Sequence, residues 1–478
     1  MEAQVDIFGG FRPALDEAGS GASVLRNWRT DAEGVNVPRP PMAAYSLTGI
    51  TAGTTVIGAY EFRGDLVLVG SDRAIYLIQR SAPATAIALS TASASTRLDG
   101  TGRPVFAEDA SDLFIAGGGE IQKWDGGGTT ARLGAGPSIC THVTSIGQRL
   151  VATDAADPTT STQFFYSDLG DGSDASWGVL NYQTAESRPD KVLAVYENTS
   201  ELFVFGETTL EVYGIGIDPA APFDRINTVN VGLGAVYSPV RFDDTWMFLD
   251  DSRRFVRSDG HSNTIEPFGD DIVTLVRSMG TVSDAFGWRE RQGRYDLAVW
   301  HFPTEGRTFE FSPAEKRWSE RAVYDVTADR KPAPIGCYAF WSSRQKHIIG
   351  RNDTNGLATI DDSAASDLGL PLLCERRTGW SDYGIKKRKR STRLIVTCRR
   401  GQADQGTTPG ALEIRKQDDG GNWSGWKSVP LGVKGDGNPT GLVHLGGVFR
   451  RRRLDLRCSA SVPYSLVSVV DDVEEVRT

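Results

Sequence analysis

The side chains that most often carry out chemistry are scattered through this 478-residue sequence. Its five cysteines and five histidines show no CxxC or HExxH spacing, so the sequence contains no local zinc motif. An odd number of widely separated cysteines is typical of reduced thiols in a cytosolic folding compartment. We therefore expect no metal ion and no cofactor. The cysteines are Cys140, Cys337, Cys374, Cys398 and Cys458.

Adjacent carboxylates are the best candidates for acid–base catalysis, and they occur as three pairs: Asp250-Asp251, Asp270-Asp271 and Asp361-Asp362. Neighbouring side chains of a strand point to opposite faces of a sheet, so they cannot act together on one substrate. In a turn such pairs are usually solvated. The sequence also lacks a GxSxG motif, a Walker A loop and a GxGxxG motif after a strand. We predict no catalytic residues and a protein that is not an enzyme.

The strongest concentration of charge is a pair of basic clusters in the last quarter of the chain. Such clusters bind phosphates or acidic protein surfaces. Few aromatic residues interleave with them in the sequence, which disfavours single-stranded nucleic acid as the partner. We predict docking onto an acidic protein surface; DNA contact and plain solvated turns are the alternatives. The clusters are Lys386, Lys387, Arg388, Lys389 and Arg390, and Arg450, Arg451, Arg452 and Arg453.

The net charge changes sign along the chain. Residues 373–478 contain 20 basic and 12 acidic residues, a net charge of +8, whereas residues 1–372 contain 32 and 49, a net charge of −17. Such an asymmetry marks a separate domain. We therefore predict a basic β domain over 373–478 after an acidic domain over 51–372. The Gly, Pro and Ala content of residues 1–50, with the stiff segment Pro38-Arg39-Pro40-Pro41, predicts an extended N-terminal arm over 1–50.

The sequence shows no segment suited to membrane insertion or export. No apolar run approaches the ~18 residues that a membrane helix needs. The first ten residues, MEAQVDIFGG, lack the basic and then apolar pattern of a signal peptide. We expect neither a transmembrane segment nor Sec-dependent secretion.

The elements that must position these side chains are predicted to be strands. Hydrophobic residues alternate with period 2, and long stretches of period 3.6 are almost absent. A hydrophobic strand, a polar turn and an alternating strand recur, as in Leu66–Val69 followed by Ala74–Ile78. Seven comparable positions have a mean spacing of 47 residues: Leu66, Leu113, Leu150, Leu202, Trp246, Leu297 and Ile348.

A spacing of 47 residues is close to the length of a four-stranded propeller blade. Because one blade cannot bury both of its faces, consecutive blades must stack around an axis. We predict an all-β chain built on a six- or seven-bladed β-propeller, since ring closure can split a blade between two parts of the chain. Two consecutive β-sandwiches are the competing arrangement, but they do not explain the repeat. Strand patterns after residue 373 predict a C-terminal β-sandwich-like domain.

Several segments in the middle of the chain resemble one protein family. Ala185–Asp190 has the form AES-x-PD, Leu202–Gly206 ends a strand in Phe-Gly, and Thr209–Tyr213 has the form T-x-E-x-Y. Together they resemble the tail accessory hub of short-tailed bacteriophages, also called the packaged-DNA stabilisation protein or tail nozzle. Ile146–Leu150 and Arg294–Trp318 are similar to neighbouring blades of that family, so the resemblance covers about residues 140–325.

The resemblance implies a structural protein of the virion tail, assembled in the cytoplasm of the bacterial host. It implies a hexameric ring of this chain that closes the channel of the portal and the head-to-tail adaptor ring and retains the packaged DNA. The ring would form part of the DNA ejection conduit and carry tail needle or tail spike or fibre proteins. An acidic propeller suits a channel that encloses DNA without sequence-specific binding, because like charges prevent adhesion to phosphates.

Two other functions stay open at this point. One is a secreted or virion-associated β-propeller glycoside hydrolase or carbohydrate-binding protein. Asp418–Trp423 is similar to the Asp box of sialidase-like propellers, although Lys416 stands where that motif prefers Ser or Thr. The other is a propeller scaffold for cellular signalling, which an exposed aromatic patch and monomeric behaviour would favour.

Overall fold

The chain is described as a computed structural model that covers residues 2–5, 12, 22–30, 35–154, 161–185, 190–262, 265–325, 331–364, 366–399, 410–436 and 440–476. Only parts of the predicted N-terminal arm are among these residues. Glu186–Pro189, the centre of the AES-x-PD motif, lie outside them. The described residues are mostly strands, with one short α-helix at Val273–Arg277 and 3₁₀ turns at Ala94–Thr96, Asp174–Ser176 and Ser342–Arg344.

Five short strands come first in the chain. They are β1 (Glu2–Gln4), β2 (Ala22–Arg26), β3 (Trp28–Thr30), β4 (Asn36–Pro38) and β5 (Met42–Tyr45). Strands β1, β2, β4 and β5 pair with strands from much later in the chain, and β3 pairs with β4, so the N-terminal segment is built into three different sheets.

Seven antiparallel blades follow. The first four are β6–β9 (Val56–Phe62, Asp65–Gly70, Ile75–Ile78, Ala86–Ala88), β10–β13 (Val105–Glu108, Leu113–Ala116, Gln122–Trp124, Ala131–Arg132), β14–β17 (Val143–Ile146, Arg149–Thr153, Gln163–Tyr166, Tyr182–Thr184) and β18–β21 (Val192–Asn198, Glu201–Gly206, Leu210–Ile215, Phe223–Val229). The others are β22–β25 (Val240–Phe242, Thr245–Leu249, Phe255–Ser258, Glu266–Pro267), β26–β29 (Phe286–Gln292, Tyr295–Phe302, Arg307–Ser312, Arg317–Arg321) and β30–β32 (Ile335–Trp341, Lys346–Arg351, Leu357–Ile360).

The ring is closed by a strand from the start of the chain. The seventh blade has only three strands of its own, and β5 pairs with β32 as its fourth, with Met42 opposite Ile360 and Ala44 opposite Ala358. The prediction of a β-propeller is confirmed, with seven blades. Each of the seven positions that defined the 47-residue spacing lies in the second strand of its blade.

Tight turns join the first two strands of several blades. In the first blade, Arg63 and Gly64 have φ of 52° and 87°, and in the third, Gly147 and Gln148 have φ of 57° and 61°. Two consecutive residues with positive φ are typical of a type I′ turn, whose twist matches that of the flanking strands. These turns join the first and second strands of the blade, whereas the polar turn of the predicted hairpin, at residues 70–73, joins the second and third strands.

The propeller core consists of hydrophobic clusters between neighbouring blades. Between the fourth and fifth blades, Phe205 and Phe248 pack edge to face with ring centroids 5.2 Å apart, and Trp246 completes the cluster. These three aromatic residues come from β19 and β23, the second strands of their blades, which are buried on both faces. This burial explains why these strands read as continuous hydrophobic runs.

The remaining strands form the C-terminal region: β33 (Cys374–Thr378), β34 (Lys389–Arg399), β35 (Ala411–Asp418), β36 (Lys427–Pro430), β37 (Thr440–Val443), β38 (Val448–Phe449), β39 (Arg452–Cys458) and β40 (Ser465–Glu475). One sheet has the order β3-β4-β40-β34-β37, with β1 on β40 and β38 on β34. The other has the order β2-β33-β39-β35-β36. Apolar residues of both sheets share one core, which confirms the sandwich-like fold.

The second of these sheets is continuous with the propeller. Strand β2 pairs in parallel with β29, the last strand of the sixth blade, with Arg26 opposite Glu320. A single nine-stranded sheet therefore runs from the propeller into the C-terminal region. All five cysteines of the chain are buried and form no disulfide.

Candidate docking surface

The fold brings the two basic clusters together. Strands β34 and β38 are paired, which places Lys389 opposite Phe449 and Arg390 opposite Val448. Beside this pairing lies a groove of about 510 Å³, lined by Asp382, Lys386, Arg388, Asp419, Arg450 and Arg451. Four of these six side chains are basic and two are acidic. We call it the basic groove.

Six of the nine residues in the two clusters are exposed, Arg453 is half-buried, and two are internal. Lys389 is buried, its ammonium group donates to the backbone oxygen of Arg450, and burial lowers its pKa. Arg452 is buried and forms salt bridges of 2.7 Å to Asp418 and 2.9 Å to Asp471. The side chains of these two residues hold the sheets together and do not reach a partner. The exposed members are Lys386, Lys387, Arg388, Arg390, Arg450 and Arg451.

The carboxylates around the groove fix its shape. Asp419 accepts backbone hydrogen bonds from Arg450 and Arg451 at 2.9 Å, which presents both side chains from one turn. Lys387 forms a 2.5 Å salt bridge with Glu475, in which both side chains are well exposed. An exposed pair of this kind contributes little to stability, so Lys387 can exchange partners easily.

A second basic feature was not predicted from the sequence. Five guanidinium groups of the C-terminal region lie over three indole rings, at 4.1–5.3 Å from the ring centroids. We call it the arginine–tryptophan stack. It contains Arg377, Arg415, Arg451, Arg453 and Arg457 with Trp380, Trp423 and Trp426.

The stack exists because β33, β39 and β35 are neighbours in one sheet. Asp455 on β39 accepts from Arg377 at 3.0 Å and from Arg415 at 2.7 Å, which holds both side chains on one face. Arg451 lies over Trp380 and also lines the basic groove, so the two features are continuous. In the sequence, only the arginines that alternate along these strands point to this feature. The three tryptophans lie in loops, and the sequence does not show that the loops place them against the arginines.

In each of the three adjacent pairs, one carboxylate is bound by a residue of this chain. Asp250 is buried, and its carboxylate accepts hydrogen bonds from the backbone N–H of Arg254 at 2.6 Å and from the guanidinium Nε of Arg254 at 2.8 Å. Asp361 accepts a hydrogen bond from the backbone N–H of Ser363, and Asp271 forms a salt bridge with Arg12 at 2.7 Å. These contacts account for Asp250, Asp271 and Asp361 without a substrate.

Three of the five histidines are buried: His142, His301 and His347. Burial lowers the pKa of His142 and of His301 to about 3, so both are neutral at physiological pH. Within the described ranges, no group of three or more His, Cys, Asp or Glu side chains could hold a metal ion. Nor does any helix of those ranges have the length and hydrophobicity to cross a membrane.

The chain matches one protein family over a third of its length. Residues 85–256, from the last strand of the first blade into the fifth blade, match the family described as "Bacteriophage P22 Gp10, beta-propeller". No curated protein matches the sequence.

Two solved structures have weak similarity to this chain. The computationally designed Ika8 protein is 9% identical, with a TM-score of 0.41 over 67% of this chain and 100% of its own. A structure of YCF48 bound to D1 peptide is 12% identical, with a TM-score of 0.42 over 67% of this chain and 95% of its own.

Proposed function

We propose that this chain is a structural, non-enzymatic protein of a bacteriophage tail that forms a hub below the portal and its adaptor ring. The match of the second, third and fourth propeller blades and their flanks to the phage Gp10 propeller family carries this proposal. In this role the chain would form a ring, most simply a hexamer, that closes the DNA channel after packaging. It would retain the DNA, pass it on ejection, and carry needle, spike or fibre proteins.

The charge distribution supports assembly through the basic groove. Residues 373–478 carry +8 and residues 1–372 carry −17, so the C-terminal region of one subunit is attracted to the propeller of the next or to an acidic adaptor. The groove and the arginine–tryptophan stack form one continuous basic surface. Arginine and tryptophan are enriched among residues that dominate protein interfaces.

The test combines oligomeric state with association kinetics. Light scattering after size-exclusion chromatography should give a ring of defined stoichiometry, alone or with the adaptor protein. A groove variant replaces Lys386, Lys387, Arg388 and Arg450 with serine. It leaves Lys389 and Arg452 unchanged because their loss would disturb folding.

We expect the groove variant to associate more slowly with the adaptor or a second subunit at 0.1 M sodium chloride than the wild type does. The difference should vanish at 1 M salt, because the Debye length falls from ~10 Å to ~3 Å. A control variant instead removes four propeller arginines whose side chains are at least 36% exposed: Arg225, Arg241, Arg257 and Arg291. Equal association rates of the groove variant and the wild type at low salt would contradict docking through the groove.

A further inference from the structure

A cavity of about 230 Å³ lies on the axis of the propeller, away from the basic groove. Residues from six of the seven blades line it, in or next to the first strands β6, β10, β18, β22, β26 and β30. Cavities at the centre of a fold that draw on many elements are the usual places for ligands. At this volume, the cavity would hold a ligand of roughly one ring rather than a drug-sized molecule.

Apart from Arg103, the described residues that line the cavity are uncharged, and many of them are aromatic. Tyr60 stacks on Phe106 with ring centroids 5.3 Å apart, and Trp288 stacks on Tyr338 at 5.4 Å. Burial raises the pKa of Tyr60 to about 12 and raises that of Tyr338 as well. The tyrosines are therefore neutral at physiological pH, and no carboxylate is among the described lining residues.

One charge faces these walls, the guanidinium group of Arg103. Its Cζ atom lies 3.4 Å from the ring centroid of Phe286. Its Nη1 atom donates to the backbone oxygens of Gly336 at 2.8 Å and Ile57 at 3.4 Å. Among the described residues, no carboxylate forms a salt bridge with Arg103, and its Nε and Nη2 atoms have no acceptor. Burial lowers the pKa of Arg103 to about 10, so it stays charged at pH 7.

Arg103 is half-buried and lines the cavity, and a partly desolvated charge is stabilised by an opposite charge or by hydrogen bonds. The Nε and Nη2 atoms of an arginine form a planar fork that matches a carboxylate with two parallel hydrogen bonds. Because Arg103 is the only cation among the described lining residues, a singly charged anion fits the site better than a doubly charged phosphate. The aromatic walls favour a planar apolar body on the ligand.

We propose that the axial cavity is a binding site for a small aromatic carboxylate, with the carboxylate on Arg103 and the ring against the aromatic walls. This site is separate from the docking surface, and the proposal does not depend on the tail function.

Benzoate and benzamide provide a direct test, because they have nearly the same shape and differ in charge. Isothermal titration calorimetry on the full wild-type chain should show one benzoate bound per chain. Benzamide should bind at least about tenfold more weakly, which is the usual loss when a hydrogen-bonded charge is removed. Equal binding of the two probes, or no benzoate binding, would overturn the proposal.

Arg103→Gln should weaken benzoate binding by at least about tenfold, whereas the control Arg257→Gln, at an exposed position in the fifth blade, should leave it unchanged. Circular dichroism shows whether each variant is folded. Unchanged affinity in folded Arg103→Gln would locate the binding elsewhere and overturn the proposal.

If Arg103→Gln does not fold, Arg103→Lys decides, because it keeps the charge but loses the fork. Wild-type affinity in that variant would also overturn the proposal.

Discussion

At the scale of single residues, the sixth blade contains a closed set of four buried charges. Arg29 on β3 binds Glu290 at 2.8 Å and Glu310 at 3.2 Å, and Arg321 binds the same two carboxylates at 2.9 and 2.5 Å. All four side chains are at most 3% exposed. Because two positive and two negative charges alternate, each is compensated, and the set attaches the N-terminal segment to the blade.

Removing one member of this set should be strongly destabilising. We expect Glu310→Gln to lower the free energy of unfolding by about 3–5 kcal/mol, since it leaves a buried guanidinium charge uncompensated. Urea denaturation measures this change from the midpoint and the slope. The control is Glu266→Gln, which removes an exposed ion pair with Arg257 and should cost less than about 1 kcal/mol. Similar losses in both variants would contradict this interpretation.

The same carboxylate should give the protein an acid-sensitive stability. Burial alone would raise the pKa of Glu310, but Arg29 and Arg321 lower it from 4.5 to about 2. Since the folded-state pKa lies below the unfolded one, this stabilisation is complete above about pH 4.5 and is lost as the pH falls towards 2. Urea midpoints measured from pH 6 to pH 3 should fall less steeply for Glu310→Gln than for the wild type. Parallel curves would show that Glu310 is not responsible.

At the scale of elements, the closure of the ring depends on one short strand. Met42 of β5 is completely buried between the sixth and seventh blades. We expect Met42→Ala to lower the free energy of unfolding by about 2–5 kcal/mol, the usual cost of a buried Met-to-Ala change. Ala44→Ser, in the same strand at an exposed position, should change it by less than about 0.5 kcal/mol. If Met42→Ala costs no more than Ala44→Ser in urea denaturation, β5 does not secure the ring.

The elements also show what the sequence could and could not predict. The second strands of the blades were predictable because they are buried on both faces and are bounded by polar turns. Strand β5 was not predictable from the sequence, because Met-Ala-Ala-Tyr has little strand character. In addition, the pairing of β5 with β32 joins residues more than 300 positions apart. The burial of Lys389 and Arg452 was missed for a related reason. Alternate side chains of a strand face opposite sides of the sheet, so the residue at which a strand begins decides which basic side chains point inward. The sequence of a basic run does not show where that strand begins.

At the scale of the whole molecule, the nine-stranded sheet joins the propeller and the C-terminal region into a single structural unit. Arg26 lies at the junction and binds Glu320 at 3.0 Å and Glu375 at 2.7 Å. Scanning calorimetry should therefore show one unfolding transition for the described sheets together. Arg26→Ala should lower the temperature of that single transition. Two separate transitions in the wild type, or a shift confined to one of two, would contradict the coupling.

The burial of all five cysteines makes the thiols natural reporters of when and where this molecule opens. Burial raises the pKa of Cys337 to about 12 and that of Cys458 to about 11, so a maleimide should modify neither in the native state. Cys140 lies between the second and third blades, Cys337 between the seventh and first, and Cys374, Cys398 and Cys458 in the sandwich core. Pulse alkylation followed by peptide mass spectrometry would time each opening separately. If the ring opens first where β5 closes it, Cys337 should be alkylated before Cys140.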